Sequence, residues 1–347
     1  MSYGYFAEFY DSFTDDVNYD KIEKFVCSLL SREGINGGLL LDLACGTGSL
    51  AVRLSEKGYS VIGTDVSPEM LSVAQQKAAV KNADILFLCQ DMTQLNLYGT
   101  IICTVCTLDS LNHLKSLDEI KKVFSLVSLF TEEGGIFVFD VNTLYKHKKV
   151  LGNNAFIYEN GDALCAWQNS LDGDTVNIEL DFFAEADNGL YERYSESFSE
   201  RAYELCDIED ALTEAGFEII GIYDGYDNTP ISDNSQRAVF AARKGKNNGE
   251  ARKNDRRRRY AFRNSCGQHR YSTRNALNTR HVKGLLRRTR QNAYRGHHDG
   301  QHSQRERRFN HGKNKRRRSV RHGFGGFGLR RQCQRLYRQS RYFFAYK

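Results

Sequence analysis

The chain has 347 residues, enough for one large domain or two ordinary ones with a sizeable core. Its net charge of +6 averages two unlike stretches: residues 1–245 carry 18 Lys and Arg against 39 Asp and Glu, a net −21, while residues 246–347 carry a net +27. No run of about 18 apolar residues is present to span a bilayer, and the opening lacks the basic-then-apolar pattern of a signal peptide, so no membrane partner and a cytoplasmic location are expected.

In chain order, Tyr19, Ile22, Phe25, Val26, Leu29 and Leu30 recur at helical spacing and predict an amphipathic helix ending near Gly34. Short apolar runs follow at 39–43, 60–64, 85–89, 100–105 and 136–141, separated by helical patterns. Five buried strands alternating with helices predict a parallel sheet wrapped on both faces. Ser67 caps the second intervening helix and Pro68 takes its first position, where a missing N–H costs nothing, which places a tight turn just after Asp65.

From 156 to 201 the pattern becomes alternating and aromatic, with turn signals at Asp172-Gly173-Asp174 and Asp187-Asn188-Gly189, and predicts an antiparallel insertion covering a ligand pocket. Its aromatic residues Trp167, Phe182, Phe183, Tyr191 and Tyr194 read first as sheet packing and second as an acceptor lining. Arg201 and Tyr203 lead back to the main sheet; a surface ion pair is the expected role of Arg201, with an acceptor carboxylate as the alternative partner. A helix at 207–215 ends at Gly216, and strands at 217–223 and 237–243 follow, joined by a loop holding Pro230. Of nine cysteines, Cys103 and Cys106 alone have C-x-x-C spacing, at a strand end and with no second pair, so the set reads as reduced buried thiols, and no metal is expected.

The chemistry concentrates where the first strand meets the next helix, in Asp42-Leu-Ala-Cys-Gly-Thr-Gly48. Gly46 and Gly48 leave backbone N–H groups open to close approach by a ligand at the carboxyl edge of the sheet. About twenty residues on, Asp65 ends the second strand, where a carboxylate can accept both hydroxyls of a ribose. Gly46-x-Gly48-x-x-Ala51 followed by Asp65 also suits a dinucleotide, so an NAD(P)-dependent oxidoreductase is the enzymatic alternative. Asp42 has a second reading, as an acid orienting the glycine turn through backbone N–H groups.

The 42–48 segment resembles the first motif of the class I S-adenosylmethionine-dependent methyltransferases, and the resemblance extends over most of residues 1–245. It implies a doubly wound, mostly parallel, seven-stranded Rossmann-like α/β sheet with a reversed final strand and an antiparallel β insertion at about 150–203. It also implies S-adenosyl-L-methionine as cofactor, contacted by Tyr10, Asp42, Ala44, Gly46, Gly48, Asp65, Val66, Met70, Gln90, Asp91 and Met92. Asp65 matches the family's ribose-binding acid and the 90–92 segment its adenine-contacting loop, while Tyr10 covers the methionine end. The 107–113 segment is similar to the substrate-facing loop and offers Asp109 and His113 as catalytic groups, against a plain solvated or capping role for His113. In-line methyl transfer is mainly positioning, worth about 7–11 kcal/mol in well-oriented systems. The acceptor is expected to be a small molecule.

Residues 246–347, with Arg256-Arg-Arg-Arg259 and Lys313 to Arg318, have the charge and interleaved tyrosines of an RNA-binding tail. They also lack proline and any sustained apolar period, and are expected to be disordered. Read one nucleotide later with permitted codons, the stretch from His297 to His302 can give Ile-Met-Met-Gly-Ser and that from Lys313 to Ser319 can give Lys-Ile-Asn-Gly-Gly-Gly-Pro. These strings resemble the start of the redox-regulated holdase chaperonin family, so a frame-shifted tail conferring no chaperone function is expected. A genuine RNA-binding tail is the alternative.

Overall fold

The computed structural model describes residues 10–11, 17–160, 163–185 and 190–245. The basic stretch 246–347 and the expected turn at Asp187-Asn188-Gly189 lie outside the described residues.

Five strands, β1 (Leu39–Leu43), β2 (Ser60–Asp65), β3 (Ile85–Cys89), β4 (Ile101–Cys106) and β5 (Thr131–Asn142), alternate with helices. The helices are α1 (Tyr19–Arg32), α2 (Ser49–Glu56), α3 (Pro68–Lys81) and α4 (Leu117–Phe130). A separate antiparallel sheet follows, made of β6 (Ala155–Asn160), β7 (Ala163–Asp172), β8 (Thr175–Glu185) and β9 (Tyr191–Arg201) in that order. Then α5 (Leu205–Glu214), β10 (Phe217–Asp224) and β11 (Arg237–Lys244) complete the main sheet, whose order is β10-β11-β5-β4-β1-β2-β3.

All pairings within β1 to β5 are parallel, and β11 alone runs backwards, antiparallel to both β5 and β10. The doubly wound sheet and the antiparallel insertion are therefore as expected, with one correction. β3 is not buried: it is the sheet's edge, and Leu86 is 55% exposed.

The period-2 geometry of the strands explains the two cores. On β5, Ile136 and Val138 face the α1 and α2 side, while Phe137, Phe139 and Val141 face α4 and α5; β11 splits the same way, with Val239 and Ala241 against Phe240 and Ala242. On the second side Phe139 stacks on Phe240 at 5.0 Å and meets Phe124 of α4 at 5.1 Å. α3 starts as anticipated, with Ser67 Oγ accepting from Met70 N–H at 3.1 Å and Pro68 at the first helical position.

One side chain ties the insertion to the main sheet. Asn112 Nδ2 donates to the carbonyls of Asn142 (3.2 Å) and Arg201 (2.8 Å), and its Oδ1 accepts from Asn142 N–H (2.9 Å). Asn112 is fully buried, so Asn112→Leu orphans the buried N–H and carbonyl of Asn142. Each orphan costs about 1–3 kcal/mol, and a lowered urea midpoint at unchanged m-value is the expected measurement.

Candidate active site

The turn after β1 is built from left-handed residues: Ala44 (φ 58°), Gly46 (φ 53°) and Gly48 (φ 73°). A Cβ on Gly46 would meet nothing within 4 Å, so this backbone opens onto the cavity. The reason for Gly48 differs from the expectation. Its Cβ would stand 2.8 Å from Ala74 Cβ, so this glycine admits α3 rather than a ligand, and it does not line the cavity.

Asp65 holds the turn. Its Oδ2 accepts from Gly46 N–H and its Oδ1 from Ser67 N–H, both at 2.9 Å. A carboxylate has about four acceptor sites, so capacity remains for two hydroxyls of a ligand. The second reading of Asp42, as the orienting acid, is thereby corrected. Asp42 is bonded instead to the Ala51 backbone in α2, and its Oδ2, buried in the wall of the cavity, has no hydrogen-bond partner. Burial, then the charge of Asp65, pushes Asp42 up to about 8. Burial raises Asp65 as well, opposed by the N–H groups of Ser67 and Gly46.

A cavity of about 290 Å³ runs from this turn, over the carboxyl edge of the sheet, to the insertion. Of the residues anticipated for the cofactor, Tyr10, Asp42, Ala44, Gly46, Asp65, Val66, Met70 and Met92 line it. Gln90 and Asp91 do not. Gln90 folds onto its own loop, its amide exchanging two 3.0 Å hydrogen bonds with the Asn96 backbone, and Asp91 caps the short turn Met92–Gln94 by accepting from Thr93 N–H at 2.7 Å. A latch not foreseen from the sequence fixes Tyr10. Its neighbour Asp11 pairs with Lys77 Nζ (2.6 Å) and accepts from Thr47 Oγ1 (2.8 Å).

At the far end, Thr107, Leu108, Asp109, Ser110 and His113 line the cavity. Leu108 (φ 59°) and Asp109 (φ 56°) are consecutive left-handed residues other than glycine, a conformation that costs roughly 1–2 kcal/mol per residue. Asp140 of β5 compensates. Its carboxylate accepts both their N–H groups at 2.8 and 2.7 Å, and also the Tyr226 hydroxyl and Arg237 Nη1. Burial, followed by the Asp140 charge, raises the Tyr226 hydroxyl well above its ordinary range, so it remains a donor. Arg237 Nη2 donates to Asp109 Oδ1 at 2.8 Å, and Asn142 Nδ2 to Asp109 Oδ2 at 2.9 Å. Each Asp109 oxygen thus accepts a hydrogen bond within the protein, one of them from the Arg237 guanidinium. His113 is exposed at the rim, its ring 5.3 Å from that of Phe198.

The insertion sheet forms the roof. Trp167 and Phe182 pack in the core of the insertion, as first read, and also line the cavity, together with Tyr158, Phe198 and Glu200. Phe183, Tyr191 and Tyr194 do not line it, and Tyr191 is exposed. Arg201 forms no ion pair among the described residues: Nη1 donates to the Lys115 carbonyl at 3.0 Å and its guanidinium lies over the Tyr203 ring. Glu200 was missed, as were Asn142, Lys146 and His147 behind it. Glu200 Oε2 accepts from Asn142 Nδ2 at 3.0 Å and stands 3.6 Å from His147 Nε2, while Lys146 Nζ donates to Asn142 Oδ1 at 2.9 Å. The sequence signal was Asp140 and Asn142 inside an apolar strand, since buried polar groups demand partners. Cys103 and Cys106 are free buried thiols, and no group of metal-ligand side chains occurs among the described residues.

Comparison with known proteins bears on what such a cavity holds. A methyltransferase domain family matches residues 40–135. A protein of Geobacillus sp. (strain WCH70), named as a methyltransferase without an acceptor, is 35% identical over 248 residues, 70% of this chain and 100% of its own length. A Bacillus subtilis protein named in the same way is 34% identical over 71% of this chain and 98% of its own. The solved structure of an S-adenosylmethionine-dependent methyltransferase from Clostridium acetobutylicum superposes with a TM-score of 0.66 at 35% identity, covering 70% of this chain and 99% of its own. The chain belongs to the class I S-adenosylmethionine-dependent methyltransferases.

The methyltransferase uses S-adenosylmethionine, and the nicotinamide alternative falls away. The residues present fit that cofactor. Asp65 retains acceptor capacity for hydroxyls, the Gly46 backbone is open, and the unpartnered Asp42 Oδ2 is a buried acceptor awaiting a donor or a positive charge.

The Asp42 shift has a consequence for stability. Its pKa rises from 3.8 to about 8 on folding, so its proton binds the folded state more tightly. Stability from this group is complete below the unfolded pKa and is lost as pH rises through 8. Between pH 4 and 8, wild type is expected to lose up to about 1.4 kcal/mol per unit relative to Asp42→Asn. Urea denaturation of both without ligand checks this; parallel pH profiles would refute it.

Proposed function

We propose that residues 1–245 form the catalytic domain and transfer a methyl group from S-adenosylmethionine to a small-molecule acceptor held between the 107–113 loop and the insertion at about 150–203. The observation that carries this reading is the single cavity lined at one end by Gly46, Asp42 and Asp65 and at the other by that loop and the insertion sheet.

In this reading Asp65 accepts the two ribose hydroxyls while Gly46 and Asp65 keep the turn in place. Val66, Met70 and Met92 supply apolar contact for the adenine, and Asp42 faces the positively charged methionine end under Tyr10. When bound, the cofactor supplies a methyl group activated by its sulfonium sulfur. The protein's part is positional. The 107–113 loop, locked by Asp140, gives the acceptor a rigid floor, and the aromatic roof excludes water. Asp109 is a positioning residue, through Arg237 and Asn142. His113, at the rim, takes up a proton from the acceptor. Seven free cysteines among the described residues suit a reducing compartment, and the cytoplasm is the location proposed.

Calorimetric titration of S-adenosylhomocysteine into the full chain tests the cofactor end. Saturable binding is expected, weakened at least about tenfold in Asp65→Ala by loss of charge-assisted hydrogen bonds. Wild-type protein that is folded by circular dichroism yet binds none would overturn the reading.

A further inference from the structure

The charges lining the cavity are one-sided. Four acidic side chains, Asp42, Asp65, Asp109 and Glu200, line it, and among the described residues no lysine or arginine does; the only basic side chain is His113. The first two belong to the cofactor end. The other two lie together at the acceptor end, since Asn142 Nδ2 donates to Asp109 Oδ2 at 2.9 Å and to Glu200 Oε2 at 3.0 Å. Both are almost wholly withdrawn from solvent, Glu200 being 3% exposed and Asp109 6%. Arg237 and Lys146 stand behind this wall, on Asp109 Oδ1 and Asn142 Oδ1, and neither lines the cavity.

Aromatic side chains share this end of the cavity. Glu200, Phe198, Phe182, Trp167 and Tyr158 all line the cavity from the insertion sheet, and Trp167 lies 6.1 Å from Tyr158, ring centre to ring centre. Aromatic faces are negative at their centres and attract cations; carboxylates do so more strongly; and both repel a carboxylate or phosphate.

We propose that the acceptor is an amine, recognised as its ammonium form by Glu200 and by the Trp167 and Phe198 rings that line the cavity with it, with Asp109 positioned beside Glu200 through their shared Asn142 donor and Glu200 setting the specificity. This rests on the methyl-transfer reading above and names its substrate class. The ammonium first gives a proton to His113. The freed nitrogen lone pair then forms the N–C bond to the methyl carbon as the C–S bond breaks, leaving its electron pair on sulfur. The product is again an ammonium.

Trp167 is the only tryptophan in the chain, so its emission reports directly on the roof. The full chain, saturated with S-adenosylhomocysteine, is titrated with benzylamine, benzyl alcohol and benzoate, which share one shape in cationic, neutral and anionic forms. Benzylamine is expected to change Trp167 emission saturably at concentrations about tenfold below benzyl alcohol, and benzoate not at all. Glu200→Gln, with unaltered S-adenosylhomocysteine affinity as its folding control, is expected to bring amine and alcohol together. Equal or better binding of the alcohol or benzoate by wild type, or no response to any of the three, overturns the proposal. The cofactor titration is independent: failure to bind S-adenosylhomocysteine removes the methyl-transfer reading, whereas intact binding without amine preference removes only the acceptor class.

Discussion

The Arg237 guanidinium, buried between Asp140 and Asp109, is the interaction on which the site depends. It joins the last strand, β11, to the fifth strand and to the loop after the fourth, positions separated by 97 and 128 residues. Without it two carboxylates would face each other in the core, and breaking such a pair by removing one partner costs about 3–5 kcal/mol. The same Asp140 holds two left-handed residues against their conformational preference, so one buried charge pair both closes the sheet and shapes the acceptor floor. Strain in the 107–109 backbone is borne by the site because β5 and β11 over-determine it.

The cavity joins two kinds of wall. Its glycine-turn end is backbone and carboxylate, rigid because Asp65 ties the turn to the start of α3. Its other end is a floor from the main sheet and a roof from the insertion, held in register by Asn112 and by the polar chain through Asn142 to Glu200. A methyltransferase needs little chemistry from its side chains and much alignment, and the polar groups here are spent on alignment. Of the titratable groups in the cavity, Asp109 has both oxygens engaged and His113 stands at the rim, where proton exchange with water is direct.

What could be read from the sequence was whatever is local. Apolar runs of strand length, the Ser67-Pro68 helix start, the glycine turn and its acidic partner at Asp65 all depend on neighbours within a few residues or on one βαβ unit, and they placed the main sheet, the insertion and the cofactor end of the cavity. What could not be read depends on partners distant in the chain. Gly48 looked like a ligand cradle because the motif says so, but its neighbour is Ala74. Gln90 and Asp91 were credited with ligand contacts that their own loop consumes. Glu200 was one acid among many in an exposed-looking alternating strand, and only the fold shows that its face of β9 turns inward, toward the cavity.

The place of Arg237 in the chain also governs how the protein is made. A ribosome releases β4, its strained loop and β5 well before it releases β11, so a growing chain carries Asp109 and Asp140 with no cation to receive them. Until Arg237 emerges, the acceptor floor has no reason to adopt its left-handed backbone, and water must solvate those acids. The chain therefore reaches its methyl-transferring form through a late, long-range step rather than strand by strand, the kind of non-local closure that folds slowly. Exposed meanwhile is the hydrogen-bonding edge of β5 that β11 will pair with, which makes the interval before completion the one in which aggregation competes with folding.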